Sequence, residues 1–79
     1  MSVDYYLEAG HIIDALMSEG MEWEATKLRD VITAGATSTE ILMGMRWHLQ
    51  EIDRASASKN AETKRRIKDL LGKLKTAVS

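Results

Sequence analysis

The chain has no cysteine and no proline, and only 5 of its 79 residues are glycine. Because cysteine is absent, no disulfide can staple the fold and no thiolate can act as a nucleophile or a metal ligand. Because proline is absent and the glycines occur singly, no segment has the composition of a flexible linker. A chain of this length has room for one small domain, so we predict a single domain over residues 1–79.

A basic N-terminal segment and a long apolar run are also missing. The first 20 residues include Asp4, Glu8 and Asp14 but no lysine or arginine, whereas a secretory signal begins with basic residues. No apolar run approaches the ~18 residues that a membrane-spanning helix needs. We therefore expect a cytoplasmic protein with no membrane partner.

The spacing of apolar residues indicates helices. Apolar side chains recur three and four residues apart, and the alternation typical of strands is nearly absent. The predicted fold class is all-α, a compact bundle of four short helices at about residues 3–18, 22–34, 37–55 and 61–77. The segment 55–58, ASAS, has good helical propensity, so the third and fourth helices are either separate or one bent helix.

Capping residues mark several of the predicted helix ends. Ser2 or Asp4 can cap the first helix, and Gly20 stands where a left-handed C-terminal cap is expected. Thr37 and Glu40 have the spacing of a capping box. The predicted core consists of the apolar stripes of the four helices: Tyr5, Ala9, Ile12, Ile13, Leu16, Met21, Ala25, Leu28, Val31, Ile32, Ile41, Leu42, Met45, Leu49, Ile52, Ile67, Leu70, Leu71, Leu74 and Val78.

Both tryptophans fall outside these stripes. Met43 and Trp47 lie together on the side of the third helix opposite its core stripe. Either the fourth helix covers them or they form an interface, of which a homodimer is one form. Trp23 projects about 160–200° from the core line of its helix. Either Trp23 folds back over the preceding turn and seals the core, which is the expectation we favour, or it belongs to an interface.

No motif for catalysis, a metal or a cofactor is present. The two histidines, His11 and His48, belong to no set of three or four ligands with the spacing of a zinc site. The isolated glycines form no phosphate-binding loop, and the serines and threonines cluster at helix starts, where capping explains them. His48 falls at the edge of a core stripe and is predicted to be a partly buried structural residue. We predict a protein without enzymatic activity or cofactor.

The charges are divided along the chain. Residues 1–53 contain ten acidic and three basic residues, a net charge of −7, whereas residues 54–79 contain eight basic and two acidic residues, a net charge of +6. We expect the basic last helix to pack against the acidic remainder. Candidate partner-binding residues are Glu19, Glu22, Glu24, Asp30, Glu40, Met43 and Trp47, and a second, basic candidate patch consists of Lys64, Arg65, Arg66 and Lys68.

Nucleic acid is not the expected partner. Residues 22–55 have roughly the spacing of a helix-turn-helix, but Arg46 is the only cation that the second of its helices would present, and DNA affinity depends on cations that meet phosphates. The basic patch of the last helix lacks interleaved aromatic residues on which bases could stack. It remains the better nucleic-acid candidate of the two.

One segment resembles a known group of proteins. Gly20 and Trp23 form a G-x-x-W pattern, and residues 34–52, AGATSTEILMGMRWHLQEI, combine a glycine- and Ser/Thr-containing turn with a helix of the type EILM-x-x-R-x-x-L. This resembles small uncharacterised bacterial helical proteins, some of which look like immunity proteins encoded beside interbacterial toxins. By position, the resemblance implicates Trp23, Glu40 and Arg46.

The resemblance implies an immunity or antitoxin-type protein that neutralises a bacterial toxin by direct binding and occlusion. Many toxin domains are basic nucleases, and the acidic residues of the first half could mimic phosphate in a cationic cleft. Two alternatives remain. One is a small nucleic-acid-associated regulator that uses the basic last helix, and the other is a homo-oligomeric structural module.

Overall fold

The computed structural model describes residues 4–34, 37–55 and 58–77. Over these ranges the chain forms four helices and no strand: α1 Tyr5–Ser18, α2 Glu22–Thr33, α3 Ser38–Arg54 and α4 Ala61–Ala77. The predicted all-α, four-helix fold is confirmed, and α3 and α4 are separate helices. Two of the predicted positions, Ser2 and Val78, lie outside the described residues.

Local hydrogen bonds fix where two of the helices begin. The Asp4 carboxylate accepts a hydrogen bond from the backbone N–H of Leu7 at 2.9 Å, so Asp4 caps α1. The Thr37 hydroxyl accepts one from the backbone N–H of Glu40 at 3.3 Å, as the capping spacing predicts. Each bond satisfies a backbone donor that the first turn of a helix would otherwise leave without a partner.

Gly20 ends α1 in the predicted left-handed conformation, with φ of 79°. The backbone N–H of Met21 donates to the carbonyl of Leu16 at 2.9 Å, and that of Gly20 donates to the carbonyl of Met17 at 3.1 Å. This pair of bonds is the Schellman arrangement, which requires a positive φ at the glycine position. The turn sends the chain directly into α2.

Each helix packs against two neighbours, in the cyclic order α1, α2, α3, α4 and back to α1. The stripes predicted from the sequence meet in the centre. Five of their members, Tyr5, Met21, Ile32, Leu42 and Leu71, are partly buried at the edge of the core. The buried apolar residues are Ala9, Ile12, Ile13, Leu16, Ala25, Leu28, Ile41, Met45, Leu49, Ile52, Ile67, Leu70 and Leu74. No helix in the described part of the chain is long and apolar enough to cross a membrane.

The approach of α2 to α3 depends on Gly44. A Cβ atom at this position would lie 2.9 Å from Cγ1 of Val31, closer than carbon atoms normally approach. Because Gly44 has no side chain, Val31 of α2 packs directly against the α3 backbone. The close crossing sets the shape of the surface that the two helices share.

Candidate partner-binding surface

A groove of about 230 Å³ runs between α2 and α3 on the outside of the bundle. Trp23, Glu24 and Lys27 line it from α2, while Trp47, His48, Glu51, Ile52 and Ala55 line it from α3. We call these eight residues the tryptophan groove. Its volume is below the ~300–1,000 Å³ typical of small-molecule sites, which suits a protruding side chain better than a cofactor.

Both tryptophans of the groove are exposed. Trp23 is 69% exposed, Trp47 is 57% exposed, and Met43, one helical turn before Trp47, is 55% exposed. The fourth helix does not cover Met43 and Trp47, because α4 packs on α3 from another side. Exposed side chains of this size on adjoining helices are a feature of interaction sites.

The expectation that Trp23 seals the core is wrong. Met21, which follows the Gly20 turn, packs against the core at this end of α2. The buried face of α2 is completed by Ala25 and Leu28. With that position filled, the indole of Trp23 is left on the opposite face of the helix.

Two aromatic contacts order the groove. The Lys27 ammonium lies 4.6 Å from the centroid of the Trp23 ring, in cation–π geometry. The rings of Trp47 and His48 meet edge to face, with centroids 4.9 Å apart and planes at 88°. The indole faces are therefore held in place by neighbours on their own helices.

The groove is lined by two carboxylates, one ammonium and one imidazole. Burial lowers the pKa of His48 below its ordinary value of 6.5, and the positive charge of Lys27 lowers it further. His48 is half-buried, as predicted. Glu24 and Glu51 contribute carboxylates, and Glu51 accepts a hydrogen bond from Arg54 beside the groove.

The acidic residues predicted to bind a partner do not form one cluster. Glu24 lines the groove, and Glu22, Asp30 and Glu40 are exposed on α2 and at the start of α3. Of the candidate set, only Glu24 and Trp47 line the groove itself, with Met43 adjoining. The candidate set leaves out three polar groove residues, Lys27, His48 and Glu51, and it also leaves out Trp23, which the resemblance implicates.

Glu19 is used inside the fold. One carboxylate oxygen accepts a hydrogen bond from the Ser58 hydroxyl and the other from the Thr63 hydroxyl, both at 2.7 Å. Ser58 and Thr63 are only 2% and 3% exposed. Glu19 therefore satisfies two buried hydroxyls and ties the end of α1 to the start of α4.

The basic patch of α4 is exposed but divided. Lys64 and Lys68 border a hollow that also contains Asp53 of α3. Arg65 and Arg66 border another hollow, lined as well by acidic side chains from α1 and α4. Packing of α4 against the acidic α1 includes one cross-helix ion pair, in which Lys73 donates to Glu8 at 2.9 Å.

The remaining chemistry is limited. Among residues 4–34, 37–55 and 58–77, no group of three or more histidine and acidic side chains could hold a metal ion. Two of the three positions that the resemblance implicates, Trp23 and Glu40, are exposed. The third, Arg46, is half-buried on α3.

Comparisons with known proteins give no match. No protein-family model matches this chain, and neither does any curated protein or solved structure. The resemblance of residues 20–52 to immunity proteins thus stays a prediction. The tryptophan groove is the observation from which a function can be proposed.

Proposed function

We propose that this protein binds another protein through the tryptophan groove and the adjoining Met43. The observation that carries the proposal is the exposure of Trp23 and Trp47, each more than half accessible, on two helices that line one groove. Tryptophan is enriched among residues that dominate binding energy, and methionine adapts to irregular partner surfaces. Keeping two indoles in water has no benefit for folding that we can identify.

The proposed biological form is an immunity or antitoxin-type protein that occludes a bacterial toxin domain. Support comes from the resemblance of residues 20–52 and from the acidic character of the first three helices. Glu24 lines the groove, and Glu22 and Asp30 are exposed on the same helix, so that a basic partner surface would find complementary charge on α2.

Co-expression with the product of the neighbouring gene tests this proposal. The partner is expected to be toxic when expressed alone, and harmless and co-purified when expressed with the wild-type chain. Trp47→Ala should weaken both effects. Leu7→Ala is the matched control, because Leu7 is also 57% exposed but lies on α1, outside the groove. Equal protection and co-purification by both variants would exclude the groove as the binding site.

A second candidate function is nucleic-acid association through α4. It is favoured by the exposure of all four residues of the basic patch: Lys64, Arg65, Arg66 and Lys68. Acidic Glu62 and Asp69 interrupt this surface, and Arg66 pairs with Glu62 at 3.4 Å. The candidate predicts binding that weakens steeply with salt, and a lack of binding at low ionic strength would remove it.

A homo-oligomeric role would appear as a dimer whose sedimentation mass falls in Trp47→Ala.

A further inference from the structure

We propose that the tryptophan groove recognises an arginine side chain of the partner, which displaces Lys27 from the face of Trp23. This inference rests on the proposed function and specifies the chemistry of the group that enters the groove. In the absence of a partner, Lys27 occupies the position on the Trp23 face that the arginine would take.

The Lys27 contact shows that the Trp23 face accepts a cation. The ammonium is 4.6 Å from the ring centroid, well inside the ~6 Å range of cation–π attraction. Lysine is a strongly hydrated point charge on a mobile four-carbon stem. Lys27 is exposed, so its ammonium can move into water without a desolvation penalty when another cation arrives.

Removal of Lys27 from the face leaves the groove with acidic and aromatic groups. Glu24 and Glu51 contribute carboxylates from opposite walls. Burial and the nearby ammonium both lower the pKa of His48, which disfavours a positive charge on its ring. Arg54 already pairs with Glu51, so Glu24 is the groove carboxylate that an entering cation would complement and that would repel a partner carboxylate.

Arginine fits this combination better than lysine does. Its planar guanidinium can stack on an indole face and at the same time donate hydrogen bonds to a carboxylate at its edge. It is also less strongly hydrated than an ammonium, so less hydration is lost when it enters the groove. The groove volume of about 230 Å³ admits a single long side chain.

The inference is tested on the isolated protein by NMR titration with N-acetyl-arginine amide. The chain has two tryptophans, so two indole N–H signals are expected, and Trp23→Ala and Trp47→Ala assign them. The matched control ligand is N-acetyl-citrulline amide, which has a similar shape but no charge. We expect the arginine compound to shift both signals and to bind at least about threefold more tightly than the citrulline compound.

Two variants of the groove sharpen the test. Lys27→Met should bind the arginine compound about 2- to 5-fold more tightly, because it removes both the competing cation and its repulsion. Glu24→Gln should bind it more weakly. Equal binding of the two compounds, or weaker arginine binding by Lys27→Met, would overturn the inference.

The test is independent of the proposed function. Because the probe is a small molecule, a lack of preference for arginine would remove the arginine inference, while co-purification with a partner would remain to be judged by itself. Conversely, a protein that prefers the arginine compound but fails to bind the neighbouring gene product would contradict the proposed toxin partner alone.

Discussion

Gly44→Ala tests the close crossing of α2 and α3 that shapes the groove. In an ordinary helix interior, this substitution stabilises a protein by about 0.5–1 kcal/mol, because alanine restricts the unfolded chain and favours the helix. At Gly44 the new Cβ would lie 2.9 Å from Cγ1 of Val31. Val31 strongly prefers one helical rotamer, so rotation gives little relief, and overpacking of this kind costs about 1–3 kcal/mol.

Gly72→Ala is the matched control. Gly72 is also in a helix interior, but a Cβ there would meet nothing within 4 Å. The helix-propensity gain is common to both variants, so the difference between their unfolding free energies isolates the clash, at about 1–3 kcal/mol. A domain of this size has a total stability of roughly 4–12 kcal/mol, so this difference is measurable.

The assay is urea denaturation followed by far-UV circular dichroism. We expect Gly72→Ala to be more stable than the wild type and Gly44→Ala to be less stable than Gly72→Ala. Adding Val31→Ala to Gly44→Ala should recover part of the loss, because it removes the methyl groups that clash. If Gly44→Ala is as stable as Gly72→Ala, the crossing is not as tight as the geometry indicates.

Three further predictions concern polar groups. Glu19→Ala should lower the unfolding free energy by about 2–4 kcal/mol, because two buried hydroxyls lose their acceptor. Glu22→Ala, on the exposed face of α2, should change it by less than about 0.5 kcal/mol. Similar denaturation midpoints for these two variants would contradict the prediction. NMR titration should place the pKa of His48 below 6.5, with Lys27→Met raising it partway because burial, the larger cause, remains. Because the folded pKa is the lower one, the stabilising contribution of neutral His48 is complete above its unfolded pKa of about 6.5 and is lost as pH falls through the folded pKa. A rise in wild-type stability on acidification over this range that is absent in His48→Gln would contradict this prediction.

Features determined by a few neighbouring residues could be predicted from the sequence. The caps at Asp4, Gly20 and Thr37 depend on backbone groups within three or four positions, so the residue type and its spacing are sufficient information. The core stripes follow from helical periodicity in the same way. For this reason the sequence predicts the four helices and all thirteen buried apolar residues of the described part of the chain.

Features that join distant parts of the chain could not be predicted. The hydrogen bonds of Glu19 to Ser58 and Thr63 span 39 and 44 residues, so an acidic residue in a turn gave no sign of its partners. Glu19 consequently appeared to be a surface candidate. Its role required knowledge of which helix ends meet.

Part of the groove could be predicted from helical periodicity, and the rest depends on how two helices pack. Periodicity placed Trp47 on the outer face of α3, and the i, i+4 spacing of Trp23 and Lys27 could have suggested their contact. That Trp23 and Trp47 share one groove depends on how α2 crosses α3. The periodicity of one helix does not show how two helices cross, and this crossing involves the contact of Val31 with Gly44.

The proposed binding of a partner protein through the tryptophan groove is tested by isothermal titration of the neighbouring gene product with the wild type, the Trp23→Ala/Trp47→Ala double variant and Leu7→Ala. Loss of interface hot spots costs about 2 kcal/mol or more, so the double variant should bind at least about 30-fold more weakly, while Leu7→Ala should bind within about twofold of the wild type. Equal affinities for the wild type and the double variant would contradict the claim.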